Sequence, residues 1–197
     1  MSDSVDKRWR RRLRSAGSLL ALVITITSAR SSLADHYTVP TGSMEPTIQV
    51  GDRILVNKLA FGFRIPFSMT YLATFSDPER GEVVVLRSPV DERTLVKRVV
   101  GVPGDQLEVR DGRVFVDGRL LIERHEVVYG PGRDLAPTTI PEGKLLVLGD
   151  NRPNSLDGRF FGLVDRDDVY GRAERIYFSD GFTWDRLSPV TQRGSTR

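Results

Sequence analysis

The sequence predicts a mostly β protein carried behind a single N-terminal membrane helix. Three observations lead there. Residues 15–29, SAGSLLALVITITSA, form the longest uncharged run, fenced by Arg14 and Arg30. Beyond residue 34 no stretch keeps a helical period, while short Val-rich runs recur between Gly, Pro and Asp-Gly punctuation. A chain of 197 residues with 39% hydrophobic and 28% charged residues can bury one good core.

The first 14 residues are a basic tail. Lys7, Arg8, Arg10, Arg11, Arg12 and Arg14 face only Asp3 and Asp6, so this tail holds more than the whole net charge of +3. The rest of the chain is close to neutral, which argues against nucleic acid as a partner, since a phosphate-tracking surface spreads its cations over a folded face. Residues 15–34 are the anchor. The charge-free core is shorter than the roughly 20 residues that span a bilayer, and a snorkelling Arg30 would let residues 31–34 extend it. A cleavable leader ending at Ser32-Leu33-Ala34 competes with an uncleaved anchor. Both put the remainder of the chain outside the cytoplasm, with the arginine-rich end inside.

Gly51–Asn57 reads as a strand, with Ile54 and Val56 on one face. Residues 58–80 hold Phe61, Phe63, Phe67, Met69, Tyr71, Leu72 and Phe75 without a period, and read as loop covering the core or as a surface touching membrane lipid. Gly81–Arg87 and Thr94–Gly101 read as strands. Asp111-Gly112 and Asp117-Gly118 mark two tight hairpins joining LEVR, RVFV and RLLI. Residues 125–143 read as polar loop, Lys144–Leu148 as a strand, and Asp168–Phe178 as the last one, before a peripheral tail over 181–197.

No cysteine is present, which excludes thiol catalysis, disulfides and thiolate metal sites, and His36 and His125 are the only histidines. Neither is expected to be a catalytic base: His36 lies beside the anchor and His125 in the polar loop. The cluster Asp150, Asn151, Asn154 and Asp157 lacks the EF-hand pattern, because Arg152 takes the third position. No metal and no cofactor is expected.

Two residues point to chemistry. Ser43 lies between a glycine and a methionine in PTGSMEPT, and Lys97 lies in TLVKRVVG. A serine hydroxyl needs a base within reach, and a lysine serves only when an apolar setting keeps it neutral. Leu95, Val96, Val99 and Val100 supply that setting in sequence. Of 29 lysines and arginines only Lys7, Lys58, Lys97 and Lys144 are lysine. Arginine cannot be deprotonated in proteins, so lysine is expected where arginine would fail. The blander readings are a turn serine and a strand-edge charge.

The ordered set PTGSMEPT, GDRILVNK, RGEVVVL, LVKRVVGVPGD and GDNRPNSLDGRFFG resembles the motifs of bacterial type I signal peptidases. The resemblance implies an antiparallel β-sheet catalytic domain over residues 35–180, with a reduced second subdomain inserted at 105–143. It implies Ser43 as nucleophile and Lys97 as general base, an oxyanion hole of the Ser43 N–H and the Thr41 hydroxyl, and Ser155 orienting the lysine. Arg98 with Asp150, and Asp157 with Arg159, would be supporting ion pairs. Val39, Met44, Ile48, Leu95 and Val96 would line shallow pockets for small side chains. Pro153 and Gly158 depart from the pattern. The implied activity is membrane-bound cleavage of signal peptides from exported preproteins after Ala-X-Ala, at the outer side of the bacterial cytoplasmic membrane, with the translocation machinery as a further partner. A Ser/Lys processing peptidase of narrow specificity, from a conjugation or secretion system, and a non-catalytic peptide-binding β module are the alternatives.

Overall fold

A computed structural model describes residues 34–65, 68 and 70–178. The basic tail, the apolar run up to residue 33 and the C-terminal tail lie outside the described residues, and with them the expected anchor over 15–34, except Ala34, which begins the first strand instead. Among the described residues no helix is long and apolar enough to cross a membrane.

The strands are β1 Ala34–Thr38, β2 Arg53–Asn57, β3 Gly62–Arg64, β4 Tyr71–Thr74, β5 Val83–Arg87, β6 Thr94–Gly101 and β7 Gln106–Arg110. They continue with β8 Arg113–Val116, β9 Arg119–Leu120, β10 Leu135–Thr139, β11 Lys144–Leu148, β12 Val164–Asp165 and β13 Val169–Phe178. The one α-helical turn among the described residues is Gly158–Phe161. Seven strands make the main sheet in the order β1-β2-β13-β5-β6-β11-β12, and every pair in it is antiparallel. The mostly β expectation holds.

Alternation builds β2, whose Ile54 and Val56 are buried while Arg53 and Leu55 are exposed. In β5 the run Val83–Leu86 is buried on both faces, as a central strand between two covered faces should be. One face packs Val83 and Val85 with Val39, Met44, Ile48 and Ile54. The other packs Val84 and Leu86 with Phe61, Val99, Val147 and Val169.

A second sheet, in the order β10-β7-β8-β9, stacks Leu107, Val109, Val114 and Ile140 on Val100, Leu146 and Leu148 of the main sheet. Both hairpins form at the Asp-Gly pairs. Asp111, Gly112, Asp117 and Gly118 all have positive φ, which the tight two-residue turn requires at both central positions.

Three expectations need correction. The segment expected to be loop at 125–143 contains β10, an edge strand pairing with β7 across a register shift. Pro137 masks it in sequence, and an edge is where a strand tolerates proline. The aromatic segment 58–80 contains a small antiparallel hairpin, β3 with β4, rather than loop alone. Its Tyr71 ring lies under the guanidinium groups of Arg64 and Arg166, both at 4.2 Å from the centroid, and its hydroxyl donates to the Val169 carbonyl. The strand expected from RLLI stops after two residues, at Leu120.

Candidate active site

β1 ends at Thr38, and after Val39 and Pro40 the chain turns through a single 3-10 turn, Gly42–Met44. Val39 is pinned on both sides: its N–H donates to the Asp52 carbonyl and its carbonyl accepts from the Gly51 N–H. Met44 is fully buried in the core, so the turn is held from beneath while Ser43 faces outward.

Lys97 stands in β6 directly opposite Val84, which is fully buried. Neighbouring residues of a strand point to opposite faces, so Arg98 leaves on the other side. Lys97 is 3% exposed, and its Nζ lies 2.8 Å from Ser43 Oγ and 3.0 Å from the Val96 carbonyl. Burial pushes its pKa down from 10.5 to about 8, against the opposing pull of the Asp157 and Asp150 charges. The amine therefore loses its proton far more readily than a surface lysine. Tyr37, also in the cleft, is pushed up to about 12 by burial and the nearby Asp35, which keeps it a neutral phenol.

A cleft of about 510 Å³ opens over the pair. Its walls come from residues 37–44 and 93–97, and Asn154 and Leu156 complete the lining. Thr41 is exposed on its rim, and Val39, Met44, Leu95 and Val96 line it. Ile48, expected in the same group, is instead fully buried in the core and is not part of the lining. In sequence both places look the same, because Ile48 is apolar and close to Ser43.

The loop after β11 closes the far side. Asp150 takes a bidentate bond from Arg98, 2.9 Å from Nε and 2.6 Å from Nη2, and accepts the Thr47 hydroxyl at 2.6 Å. Asp157 takes Arg159 at 2.8 and 2.9 Å and accepts the Gly149 N–H at 3.0 Å. All four ionic groups are buried, which is stable only because both partners and extra donors are present. Both expected ion pairs are therefore formed.

Ser155 is buried, but its hydroxyl has no hydrogen-bond partner. The bond expected from Ser155 to Lys97 is not formed, and the amine bonds Ser43 and its own neighbour's carbonyl instead. The departures from the motif have local causes. A Cβ on residue 158 would come within 2.6 Å of Leu146 Cδ1 and 2.9 Å of the Val147 carbonyl, so Gly158 allows the helical turn to rest on β11. Pro153 packs its ring against Gly130.

Several contributors were not singled out in the sequence. Gly149 approaches so closely that a Cβ there would lie 2.4 Å from the Ser43 carbonyl and 2.3 Å from Ser155 Oγ. Asn151 donates its N–H to the Ser43 carbonyl at 3.1 Å and its amide to the Gly42 carbonyl at 3.0 Å, fastening the loop to the serine turn. Arg152 is buried on Glu123 and on the Gly149 and Gly112 carbonyls. All three residues lie in the motif already noted; what was missing was which backbone each would meet.

His125 is not a solvated loop residue. Its side chain is buried, with Nε2 3.5 Å from both Glu123 and Asp150. It borders a second hollow of about 370 Å³ whose lining includes Arg98 but neither Ser43 nor Lys97. His36 is exposed on β1. No group of three or more His, Cys, Asp or Glu able to hold a metal ion occurs among the described residues.

Residues 12–178 match the family model described as signal peptidase, peptidase S26. Among similar proteins, the "Probable signal peptidase I-2" of Synechocystis sp. is 35% identical over 163 residues, covering 79% of this chain and 68% of that one. Signal peptidase I of Pseudomonas aeruginosa is 31% identical over 201 residues, covering 82% and 71%. Signal peptidase I P of Bacillus subtilis subsp. natto is 30% identical over 171 residues, covering 82% and 86%.

Proposed function

Because the chain belongs to the signal peptidase family, peptidase S26, and is thereby a serine-type endopeptidase acting on exported proteins, we propose that Ser43 and Lys97 perform the cleavage. The observation that carries the proposal is the 2.8 Å approach of a buried, easily deprotonated amine to the serine hydroxyl.

In this reading Lys97 takes the proton as Ser43 Oγ attacks the carbonyl carbon of the bond to be cut. The oxyanion is stabilised by the Ser43 N–H and the Thr41 hydroxyl. The tetrahedral species collapses, the peptide C–N bond breaks, and the leaving amine takes the proton from Lys97. The neutral lysine next removes a proton from water, which attacks the acyl-enzyme; the ester bond to Ser43 Oγ then breaks, and Oγ regains its proton from Lys97. Ser155 is buried beside Gly149, and no bond from its hydroxyl to the lysine is part of this mechanism. Arg98 with Asp150 and Asp157 with Arg159 hold the loop in place. Ile48 acts from below, by fixing Met44.

The substrate is a signal peptide whose residues before the cut lie extended along β6, with small side chains such as Ala-X-Ala facing the shallow wall of Val39, Met44, Leu95 and Val96. The membrane placement and the orientation of the N-terminus follow the sequence expectation: anchor through residues 15–34, basic tail in the cytoplasm, sheet outside.

The test is cleavage of an Ala-X-Ala preprotein, in detergent or lipid, by the wild type, Ser43→Ala and Lys97→Arg. Both variants should stay folded and lose cleavage. For the wild type, kcat/KM should climb as pH rises through about 8, because neutral Lys97 is only about a tenth of the total one unit below its pKa. A flat or acid-favoured profile would remove the lysine from its role.

A further inference from the structure

The two edges of β6 are not equivalent. One pairs with β5 along Thr94–Arg98. The other pairs with β11 only at Arg98, Val99 and Gly101. Among the described residues no strand covers that second edge at Thr94–Lys97, the stretch that forms one wall of the cleft. An extended peptide added there has about 13 Å of edge, at the rise of a β-strand, and it must stop at Lys97.

Past that point the edge is occupied by the protein itself. Leu148 pairs with Arg98, and the chain then wraps Ser43, with Asn151 bonded to the Ser43 and Gly42 carbonyls. A substrate reaching Ser43 along the open edge cannot continue straight. It must rise over the outer face of the loop. Within that loop Ser155 and Asp157 are buried, whereas Asn154 and Leu156 turn outward into the cleft.

Leu156 is 55% exposed and is the sole large apolar side chain of the cleft lining that is exposed, since Val39 and Met44 are buried and Tyr37, Leu95 and Val96 are half-buried. It belongs to none of the three apolar core clusters. Its placement, rather than its exposure, is informative, because it lines the cleft from the loop that takes over the β6 edge beyond Lys97.

We infer that Leu156 is a specificity-determining residue for the leaving-group side of the cut: it contacts the first or second side chain after the cleaved bond and favours apolar residues there over charged ones. This rests on the Ser43–Lys97 reading and on the residues before the cut being the ones paired with β6. Leu156 has no part in the proton transfers. Its contact is made while the leaving peptide is still attached and is gone once the acyl-enzyme has formed.

The test uses the full chain in detergent and preproteins identical except at the first two residues after Ala-X-Ala, carrying Leu, Asp or Lys there. A parallel set varies only the residues before the cut. The wild type should prefer Leu over Asp and Lys by roughly ten-fold in kcat/KM, the low end of what one apolar pocket contact supplies. Leu156→Asp should turn the preference toward Lys, and Leu156→Lys toward Asp. Neither variant should reorder the set varied before the cut or change the rate of deacylation. The inference is overturned if all three proteins rank the leaving-side set alike, or if the substitutions reorder the other set, which would mean the peptide lies the opposite way round. Failure of the wild type to cut any preprotein, or undiminished cutting by Ser43→Ala, would instead sink the underlying dyad.

Discussion

At the scale of the residue, the burial that suits Lys97 to its proposed role as a base also makes it costly. Its pKa is about 8 in the folded protein against 10.5 for a free lysine, because burial disfavours the ammonium form. Folding below pH 8 must therefore either strip the proton or bury the charge. The penalty is fully present below about pH 8, fades as pH rises toward 10.5, and is absent above that. Its size is on the order of 3 kcal/mol from the depth of the shift. Lys97→Met keeps the stem and removes the amine, at the loss of hydrogen bonds to Ser43 and Val96. It should be inactive yet more stable than the wild type by about 1–3 kcal/mol at pH 7. Urea unfolding at pH 7 and pH 10 checks this: the advantage should shrink at the higher pH, and a variant less stable at pH 7 would contradict the burial argument. The meeting of Ser43 with Lys97 and both ion pairs were legible in the sequence, because each lies in a motif of fixed order. The inward turn of Ile48 and the unbonded Ser155 hydroxyl were not, because a motif does not say which way a side chain turns once its strand is packed.

At the scale of the element, Arg98 and Asp150 tie β6 to the loop after β11 and so fix the distance between two walls of the site. Arg98→Ala would leave Asp150 buried with its strongest partner gone. It should cost about 3–5 kcal/mol in thermal or denaturant unfolding, while the double replacement Arg98→Met with Asp150→Leu should cost clearly less. A single variant within 1 kcal/mol of wild type would mean that Thr47 and water carry the carboxylate alone. Strands with a local signal were readable: the Asp-Gly turns announced β7, β8 and β9 through their need for positive φ, and the valine run announced β5. Strand β10 was not, because three of its five residues are exposed and one is proline. The β3–β4 hairpin also escaped notice. Its strands span three and four residues, and a cation–aromatic stack on Tyr71 braces it where a run of alternating residues would have been recognisable.

At the scale of the whole molecule, the same hairpin presents apolar side chains that the core does not use. Ile65, Leu72 and Phe75 are exposed, the last two by 68% and 66%, whereas Phe61 and Tyr71 anchor the segment inward. A protein tethered close to a bilayer would rest this surface on lipid. The double variant Leu72→Ser, Phe75→Ser should therefore cut a preprotein embedded in vesicles several-fold more slowly, with little change for a short soluble peptide in detergent. Equal losses on both substrates would point to damaged folding instead. The charge pattern told of a basic tail on a neutral body, but the surface that meets a membrane depends on which aromatics fold inward, and composition does not separate Phe61 from Phe75.

The short uncovered edge of β6 has a wider consequence. A bare strand edge is a standing hazard for any sheet protein, since it can template the pairing of a second chain and begin aggregation. Here the exposure is limited to Thr94–Lys97, too brief a ladder to hold two copies together by itself, and it is recessed in a cleft. If substrates dock on this edge as proposed, the same geometry decides what is safe from the enzyme. Such docking needs a polypeptide whose own backbone donors and acceptors are unpaired, so a compact neighbour whose strands and helices are already satisfied would present nothing to grip. Protection of folded proteins would then need no inhibitor and no compartment, because it would arise from backbone hydrogen bonding.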